Sequence, residues 1–362
     1  MRKMQIEKKI KENVKKVGID LDKKQPTYFQ IDHLPLIQFS NIKGIEILNI
    51  QDALKKYSWL KNYLWKAVNK EKDEYTKYSA KNYFNGYFIR VKKNVKIDIP
   101  IQACLYLNTN NLIQNVHNII IAEEGSSINI ITGCTISLHK AGMHIGISEF
   151  FLEKNSKVNF TMIHAWNEKT EVRPRTGAIL EENSTFISNY ILLTQTKSLQ
   201  MAPKSINKEN TKSFFGSLLL GLKNSNVDVG TEIYLNGKNS SSLIKSRIVA
   251  KENSKIISRG KIVANSENSK GHIECRGLIL SNKAEIQAIP ELYSKNKKSE
   301  LTHEASVGRI KEEELWYLMS RGLNEEEAIN LITNGFLNPE FMEIPFSVKI
   351  QIEKYLKEKF KM

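Results

Sequence analysis

The sequence predicts a mainly β protein, with a parallel β-helix core between helical N-terminal and C-terminal regions. From about residue 76 to 290, short β-branched runs alternate with turns of Asn, Ser and Gly. The Asn-Ser turns recur at a nearly fixed spacing, which is typical of a solenoid. Helical periodicity is confined to residues 1–75 and 291–362, so we divide the chain into these three regions.

Composition and charge exclude several classes of protein. The chain has 362 residues, of which 41% are hydrophobic, so it can bury a sizeable core. The net charge of +15 comes mostly from lysine, because the chain contains only nine arginines. Proteins that read bases and phosphates rely on arginine, so we expect no nucleic-acid partner.

The cysteines and the N-terminal segment indicate the compartment. Cys104, Cys134 and Cys275 are too few, and odd in number, for a secreted disulfide scaffold. Residues 1–24 lack the apolar segment of a signal peptide, and the longest apolar run, residues 214–222, is too short to span a bilayer. We therefore expect a cytoplasmic protein that does not bind membranes.

The N-terminal region, residues 1–75, is predicted to be helical with an interruption. Apolar residues recur every three to four positions from Ile6 to Val17, so a first helix has an apolar stripe and a lysine-rich outer face. An extended piece is expected near residues 28–48. A second helix is expected near residues 52–69.

The core region, residues 76–290, repeats one turn motif. Asn and Gly tolerate the left-handed backbone needed at tight corners, which explains their recurrence there. Strands between such corners stack rung on rung into a parallel β-helix, and an antiparallel sandwich with similar turn spacing is the alternative. The Asn-Ser steps begin at residues 155, 183, 224, 239, 253 and 268.

The C-terminal region, residues 291–362, is predicted to contain three helices that cap the solenoid. An acidic start favours a first helix over residues 312–320. Asn324, with Glu327 three residues later, forms a capping-box variant that opens the second helix. A third amphipathic helix is expected from about residue 347 to 360.

Motifs of the common enzyme classes are missing from the sequence. The chain has no Walker A sequence, no dinucleotide-binding glycine motif, and no HExxH, GxSxG or CxxC. Gly216 and Gly221 have the Walker spacing, but Leu222 stands where the lysine belongs. We expect that the chain is not an enzyme and does not itself hydrolyse ATP.

Soft and borderline metal ligands cluster near the end of the core. His272, Glu274 and Cys275 fall within four residues, and the pair His303-Glu304 follows 28 residues after the cysteine. In a strand, His272 and Glu274 share one face and Cys275 points to the other. A thiolate joined by an imidazole and a carboxylate from another segment suits iron. The alternative is that Cys275 is a small apolar residue of the core.

The C-terminal region also contains three distinctive segments. Residues 301–310 read LTHEASVGRI, residues 315–328 read LWYLMSRGLNEEEA, and residues 331–337 read LITNGFL. These segments closely resemble the SufB/SufD family, the scaffold subunits of the SUF iron–sulfur cluster assembly system. A weaker resemblance extends over about residues 75–345. It implies a right-handed parallel β-helix flanked by helical regions.

The resemblance implies a cluster site. Cys275 resembles the SufB cysteine on which a nascent iron–sulfur cluster is built, and His303 and Glu304 resemble the adjoining histidine and glutamate. SufD-type chains keep the histidine but not that cysteine and glutamate, so this chain is SufB-like at its site. The cluster would be transient, of the 4Fe–4S or 2Fe–2S type.

The resemblance also implies an internal tunnel that delivers sulfur. Cys134, Asn108, His164 and Trp166 resemble positions that line it. The chain departs at two places, because His164 stands where SufB has glutamine and Tyr106 replaces the arginine near Asn108. The chain is also shorter than typical SufB at its N-terminal end and lacks SufB's N-terminal cysteine motif. We interpret it as a minimal subunit that serves as both SufB and SufD.

The partners implied by the resemblance begin with SufC, an ABC-type ATPase that docks on the C-terminal helices and supplies the ATP hydrolysis. Two copies would pair through their β-helices within a 2:2 complex and pass the cluster to apo iron–sulfur proteins. The alternatives are a SufD-like structural partner without its own cluster, and a carbohydrate-binding β-helix, although no ladder of carboxylates runs from rung to rung. The residues expected to dock the ATPase are Leu315, Trp316, Met319, Arg321 and Phe336.

Overall fold

The strands of the core stack into a parallel β-solenoid of about 8 turns, as predicted. The computed structural model describes residues 6–82 and 85–360. Strand accounts for 47% and helix for 19%, so the fold is mainly β. Most turns contribute one strand or a broken pair of strands to each of two sheets, sheet A and sheet B. Core strands that neighbour each other within a sheet run parallel.

The strands are numbered in chain order. Those of sheet A are β1 (Thr27–Ile31), β2 (Leu34–Phe39), β5 (Ile101–Leu107), β7 (Ser127–Ile136), β9 (Lys157–Ala165), β12 (Thr185–Leu192), β15 (Lys212–Gly221), β17 (Ser241–Ala250), β19 (Lys270–Ile279) and β21 (Glu300–Gly308). Those of sheet B are β3 (Ile45–Asn49), β4 (Tyr87–Val91), β6 (Leu112–Ala122), β8 (Gly142–Leu152), β10 (Thr170–Val172), β11 (Arg175–Leu180), β13 (Ser198–Met201), β14 (Lys204–Asn207), β16 (Asn226–Leu235), β18 (Lys255–Ala264) and β20 (Glu285–Ser294).

Helices occur in the sequence both before and after the strands of the solenoid core. None of the described helices is long and apolar enough to cross a membrane. The α-helices are α1 (Lys8–Lys15), α2 (Ile50–Lys56), α3 (Glu74–Asn82), α4 (Glu312–Ser320), α5 (Glu325–Phe336) and α6 (Phe346–Lys359), with short 3-10 helices at Ser58–Asn62 and Pro339–Phe341.

At four of the six predicted Asn-Ser turns the asparagine has the left-handed backbone of a tight corner, and at the other two the left-handed residue is Lys223 or Glu252. Asn183, Asn239 and Asn268 have φ values of 59°, 56° and 56°, a left-handed conformation that asparagine tolerates. Asparagines also stack from turn to turn, since Asn268 donates to Asn239 at 3.2 Å across 29 residues of sequence. One turn therefore takes about 29 residues, and the shortest Asn-Ser spacings correspond to half a turn.

Alternation along the strands separates an inner core from apolar clusters on the outer faces of the sheets, of which the cluster on sheet A is the largest. The inner core fills the space between the sheets, where the ring of Phe150 lies 4.7 Å from that of Phe160 and 5.0 Å from that of Phe186, centroid to centroid. The outer core lies on the other face of sheet A, beneath α1 and α6. The face on which a strand residue lies thus decides whether its side chain enters the solenoid interior.

The strands of the N-terminal region lie where the extended piece was expected, near residues 28–48. β1 extends sheet A beside β5, and β3 extends sheet B beside β4. These strands continue the two sheets at the N-terminal end of the solenoid.

The helix predicted over residues 52–69 ends early, because α2 stops at Lys56 and only a 3-10 helix and turns follow. Tyr57, the residue that follows α2, already has an extended backbone, with φ −124° and ψ 98°. Further along the chain, the wholly buried Glu149 on β8 accepts hydrogen bonds from the backbone N–H groups of Trp65 at 2.6 Å and Ala67 at 2.7 Å. The last part of the predicted helix is therefore held against sheet B in a non-helical conformation.

The three predicted C-terminal helices are present as α4, α5 and α6. The capping box that opens α5 is confirmed, because the Asn324 side chain accepts from the N–H of Glu327 and the Glu327 carboxylate accepts from the N–H of Asn324. The helix predicted from about residue 347 to 360 corresponds closely to α6.

The C-terminal region starts later than predicted, and its helices do not cap the solenoid. The boundary drawn between residues 290 and 291 falls inside β20, and β21 extends the core to Gly308. Val348 and Ile352 on α6 pack into the outer core beside the solenoid. Along β21 every residue is exposed except the half-buried Leu301. In the described part of the chain, the C-terminal end of the solenoid is therefore open.

Candidate functional site

Cys275 lies on β19 near the open end of the solenoid, with its side chain in the inner core. Its register partners are Ser246 on β17 and Ala305 on β21. With Ser246 and Ser258 it lines a cavity of about 10 Å³, room for about one water molecule. Its 5% exposure agrees with the alternative that it is a core residue, but the two serines give the thiol polar neighbours.

The environment of Cys275 keeps its thiol protonated. Burial raises the pKa of the thiol, and the Ser258 hydroxyl and the Arg247 guanidinium offset part of that rise. A metal ion binds the thiolate, so binding at this position must release the thiol proton.

His303 lies on the same inward face as Cys275. In the ladder between β19 and β21, Ile273 is opposite His303 and Cys275 is opposite Ala305. Opposite residues, and residues two apart, share a face of the sheet. Unlike the cysteine, His303 is exposed, because β21 is the last strand of sheet A. The imidazole and the thiol therefore lie on one side of the sheet at its open end.

Glu304 lies on the opposite, outward face of β21. Its carboxylate is 3.4 Å from Arg276, which also contacts Glu274 at 3.0 Å. Glu274 is held in turn by Lys245 at 3.1 Å and Arg247 at 2.7 Å. The three predicted ligands are therefore not brought together within one chain. Among the described residues, no group of three His, Cys, Asp or Glu side chains could hold a metal ion.

His272 and Glu274 point away from Cys275, as strand alternation predicts. The Nδ1 atom of His272 is 2.7 Å from the Thr302 hydroxyl. Burial alone would raise the pKa of Glu274, but hydrogen bonds from Lys245 and Arg247 hold it below its usual range. Both side chains are thus engaged with other partners on the outward face.

Three of the four predicted tunnel residues lie in the solenoid interior. Cys134 on β7 and His164 on β9 are register partners, and both are buried together with Trp166. Asn108 does not join them. It is exposed just beyond the end of β5, where its Oδ1 accepts from the Ser137 hydroxyl at 2.6 Å. The structure therefore does not place it beside the other three, because β5 ends one residue before it.

Other buried polar side chains complete this interior group. The Nδ1 atom of His164 is 3.0 Å from the Tyr190 hydroxyl, and that of His144 is 2.8 Å from the Gln114 side-chain oxygen. Burial lowers the pKa of His144 to about 4. Burial, with a smaller contribution from His144, also lowers the pKa of His164 well below its usual range. Both imidazoles are therefore neutral at physiological pH.

A row of polar side chains leads from this group to Cys275. Tyr190, Ser217, Ser246 and Cys275 are successive register partners on β12, β15, β17 and β19. All four are buried, and register partners share a face, so the row follows the inner face of sheet A. Sequence reasoning missed Tyr190 and the two serines. The sequence does contain a signal for this row, because Tyr190, Ser217, Ser246 and Cys275 follow one another at intervals of about one solenoid turn.

The C-terminal helices expose only part of the surface predicted to dock an ATPase. Trp316 is 62% exposed and Met319 is 42% exposed on α4, and Arg321 follows them at the surface. Leu315 is half-buried, and Phe336 on α5 packs against the outer core instead. The exposed large apolar residues of this region that the prediction did not include are Tyr317, Leu331, Phe346 and Ile350.

Comparison with known proteins agrees with the resemblance seen in the sequence. The family described as "SUF system FeS cluster assembly, SufBD core domain" matches residues 105–336. An "Iron-sulfur cluster assembly SufBD family protein" of Archaeoglobus fulgidus is 46% identical over 95% of this chain and 93% of its own length.

Two further relatives have the same family description. A homologue of MTH1150 from Methanothermobacter thermautotrophicus strain Winter is 41% identical over 98% of this chain and 88% of its own length. The Pyrococcus horikoshii protein PH1385 is 36% identical over 87% of this chain and 71% of its own length. The chain belongs to the SufBD family of iron–sulfur cluster assembly proteins.

Proposed function

We propose that this protein is a scaffold on which a nascent iron–sulfur cluster is built between two copies of the chain. The observation that carries the proposal is the placement of Cys275 and His303 on one face of the last two strands of sheet A, beside an open end. A soft thiolate and an imidazole are suitable ligands for iron. The cluster is the cargo of the scaffold, transient and of the 4Fe–4S or 2Fe–2S type.

The second copy is needed because one chain supplies an incomplete site. An exposed terminal strand presents unpaired backbone groups, which favours pairing with another strand edge. In a twofold dimer each chain gives the same residues to the seam. Since Glu304 faces away from the thiol of its own chain, we assign its carboxylate to the Cys275 site of the other copy. Weak carboxylate and imidazole ligands leave exchange positions open, which suits a cluster that must depart.

Sulfur would reach the site through the solenoid. The interior group around Cys134 and His164 and the row from Tyr190 to Cys275 form a continuous series of buried polar side chains on the inner face of sheet A. Cys134 marks the far end of this route. Asn108 lies outside it, at the rim.

The exposed side chains of α4 support a docking role for the C-terminal region. Trp316 and Met319 present apolar surface beside the charge of Arg321, a combination enriched at protein interfaces. We assign this surface to a SufC-like ABC ATPase in a 2:2 complex. ATP hydrolysis would occur in that partner, and apo iron–sulfur proteins would accept the finished cluster.

Anaerobic reconstitution with iron and sulfide tests the proposal. We expect the wild-type chain and Cys104→Ser to hold iron and acid-labile sulfide with visible charge-transfer absorbance, and Cys275→Ser to lose them. Cys104 is a matched control because it is a free, buried cysteine that lies in the outer core. Equal loading of Cys275→Ser would refute the site. A wild-type chain that binds the ATPase but no iron would instead be a SufD-like structural partner.

A further inference from the structure

A pocket of about 210 Å³ lies on the outward side of sheet B. One wall is the segment from Ala67 to Lys72, which Glu149 holds in place through the N–H groups of Ala67 and Val68. The opposite wall is formed by strands of sheet B. The residues that line it are Ala67, Val68, Asn69, Lys72, Arg175, Thr176, Ala202, Lys204 and Glu232.

Arg175 is fixed rigidly at one side of this pocket. Its side chain is only 7% exposed, and its Nε atom contacts the Asp73 carboxylate at 2.6 Å. Its Nη1 atom donates to the carbonyl oxygens of Pro174 and Gln200 at 3.0 and 2.7 Å, and its guanidinium lies 5.3 Å from the ring of Tyr75. Among the described residues its Nη2 atom has no such partner. The guanidinium is therefore pre-positioned with donors left over.

Two lysines, Lys72 and Lys204, line the same pocket, and neither forms an ion pair within the described part of the chain. Lys72 donates only a long hydrogen bond, 3.4 Å, to the carbonyl oxygen of Ala202, and Lys204 lies 4.7 Å from the ring of Tyr234. In the part of the chain that the structure describes, neither lysine forms an ion pair with Glu232, although that carboxylate lines the pocket. With Arg175 already balanced by Asp73, the pocket has a surplus of positive charge.

We propose that this pocket binds the phosphate group of a small phosphorylated molecule. The Nη2 donor of Arg175 and the ammonium groups of Lys72 and Lys204 come from three different segments around the pocket, which suits the several oxygens of a tetrahedral dianion better than a planar carboxylate. A dianion also tolerates the single opposing carboxylate of Glu232. The inference does not depend on the iron–sulfur assignment, because the pocket shares no residue with that site.

The electrostatics of Lys72 support the proposal. Burial lowers the pKa of Lys72, while the carboxylates of Glu232 and Asp73 raise it against smaller opposing contributions from Arg175 and Lys204. A bound phosphate would add negative charge beside the ammonium group and stabilise its charged form against the cost of burial.

Calorimetric titration with inorganic phosphate at fixed ionic strength tests the proposal, with citrate as the carboxylate probe. We expect phosphate to bind in one equivalent. Lys72→Ala and Lys204→Ala should each weaken binding about tenfold, and Glu232→Gln should strengthen it. Lys261→Ala is the matched control, because Lys261 lies on the same outward face but pairs with Glu291 at 3.8 Å, outside the pocket.

The gain expected from Glu232→Gln separates binding from folding, since a damaged fold would not increase affinity. Absence of phosphate binding to the wild-type chain would overturn the proposal. So would binding that Lys72→Ala and Lys204→Ala leave unchanged, because the phosphate would then lie elsewhere. Tighter binding of citrate than of phosphate would overturn the choice of ligand class.

Discussion

Cys275 and Glu304 lie on neighbouring strands of sheet A, yet their side chains point to opposite faces. The register pairs Cys275 with Ala305, so Glu304 falls opposite Glu274 on the outward side. Since side chains alternate along a strand, only a shift of one residue in register would turn both groups to the same side. The carboxylate is instead paired with Arg276 at 3.4 Å. Because the two side chains lie on opposite faces of the sheet, the proposed site requires a second copy of the chain.

Iron binding at Cys275 should strengthen as pH rises. Burial raises the thiol pKa, so at neutral pH the proton must leave before the thiolate binds iron. At pH values below that pKa, each increase of one pH unit should therefore raise the apparent affinity for iron by up to about tenfold. Anaerobic titration of iron(II) into the protein at several pH values measures this. An affinity independent of pH would show that the thiol is not a ligand.

Stability should fall in mild acid because His144 is buried in its neutral form. Its pKa is lowered from 6.5 to about 4, so the unfolded chain binds a proton at this histidine more readily than the folded chain does. The free energy of unfolding is therefore highest above about pH 6.5 and falls as the pH drops toward 4. The loss over that window is about 3 kcal/mol. Urea unfolding of wild type and His144→Gln across this range checks it. The variant should show a shallower pH dependence, and parallel curves would contradict the assignment.

Glu149→Gln should destabilise the fold without touching the cysteines. The carboxylate accepts three backbone N–H groups from residues 65–68 and also lies 2.7 Å from the Nε2 atom of His117. We expect a loss of about 2 kcal/mol in the free energy of unfolding. Glu182→Gln is the control, because that exposed carboxylate pairs with Lys154 at the surface, and should show no measurable change. Equal stability of both variants would contradict this role.

Blocking the row of polar side chains should separate sulfur delivery from cluster binding. Ser217→Leu places a larger side chain between Tyr190 and Ser246 in the solenoid interior, at a packing cost of about 1–3 kcal/mol. We expect the variant to accept free sulfide in reconstitution but not sulfur from a persulfide donor protein. Ser242→Leu, also buried on the inner face but outside the row, is the control. Unimpaired delivery in Ser217→Leu would exclude this route.

Trp316→Ala should abolish association with the ATPase while leaving the fold intact. The indole is 62% exposed, so its removal leaves no cavity in a core. Co-elution with the cognate ATPase and the midpoint of thermal unfolding are the two measurements. Leu34→Ala provides a comparison, because Leu34 is 58% exposed on β2, away from α4. Normal association of Trp316→Ala with the ATPase would show that the ATPase docks on another surface.

The solenoid was predictable because its turns carry a local chemical signal. Corners that need a left-handed backbone favour asparagine, as at Asn183 and Asn239. The repeat of the solenoid can therefore be recognised from the spacing of asparagines in the sequence. The non-helical path of residues 65–68 was not predictable in this way. It is held by Glu149, whose carboxylate accepts a hydrogen bond from the N–H of Trp65 across 84 residues of sequence. A local pattern does not contain such a long-range contact.

The candidate site was predictable in part. Alternation along β19 correctly placed Cys275 apart from His272 and Glu274, and the resemblance drew attention to His303. The outward orientation of Glu304 depends on the register between β19 and β21, which turn lengths and packing set together. The exposed position of Asn108 likewise depends on where β5 ends. Neither feature follows from residue type or spacing.

The most direct test of the central claim is to measure molar mass and cluster content on the same material. Reconstituted wild-type protein is separated by size-exclusion chromatography with light scattering, and each fraction is assayed for iron and acid-labile sulfide. We predict that cluster-bound iron elutes only with the dimer. A monomer fraction that carries iron and sulfide in equal proportion to the dimer would contradict a site shared between two chains.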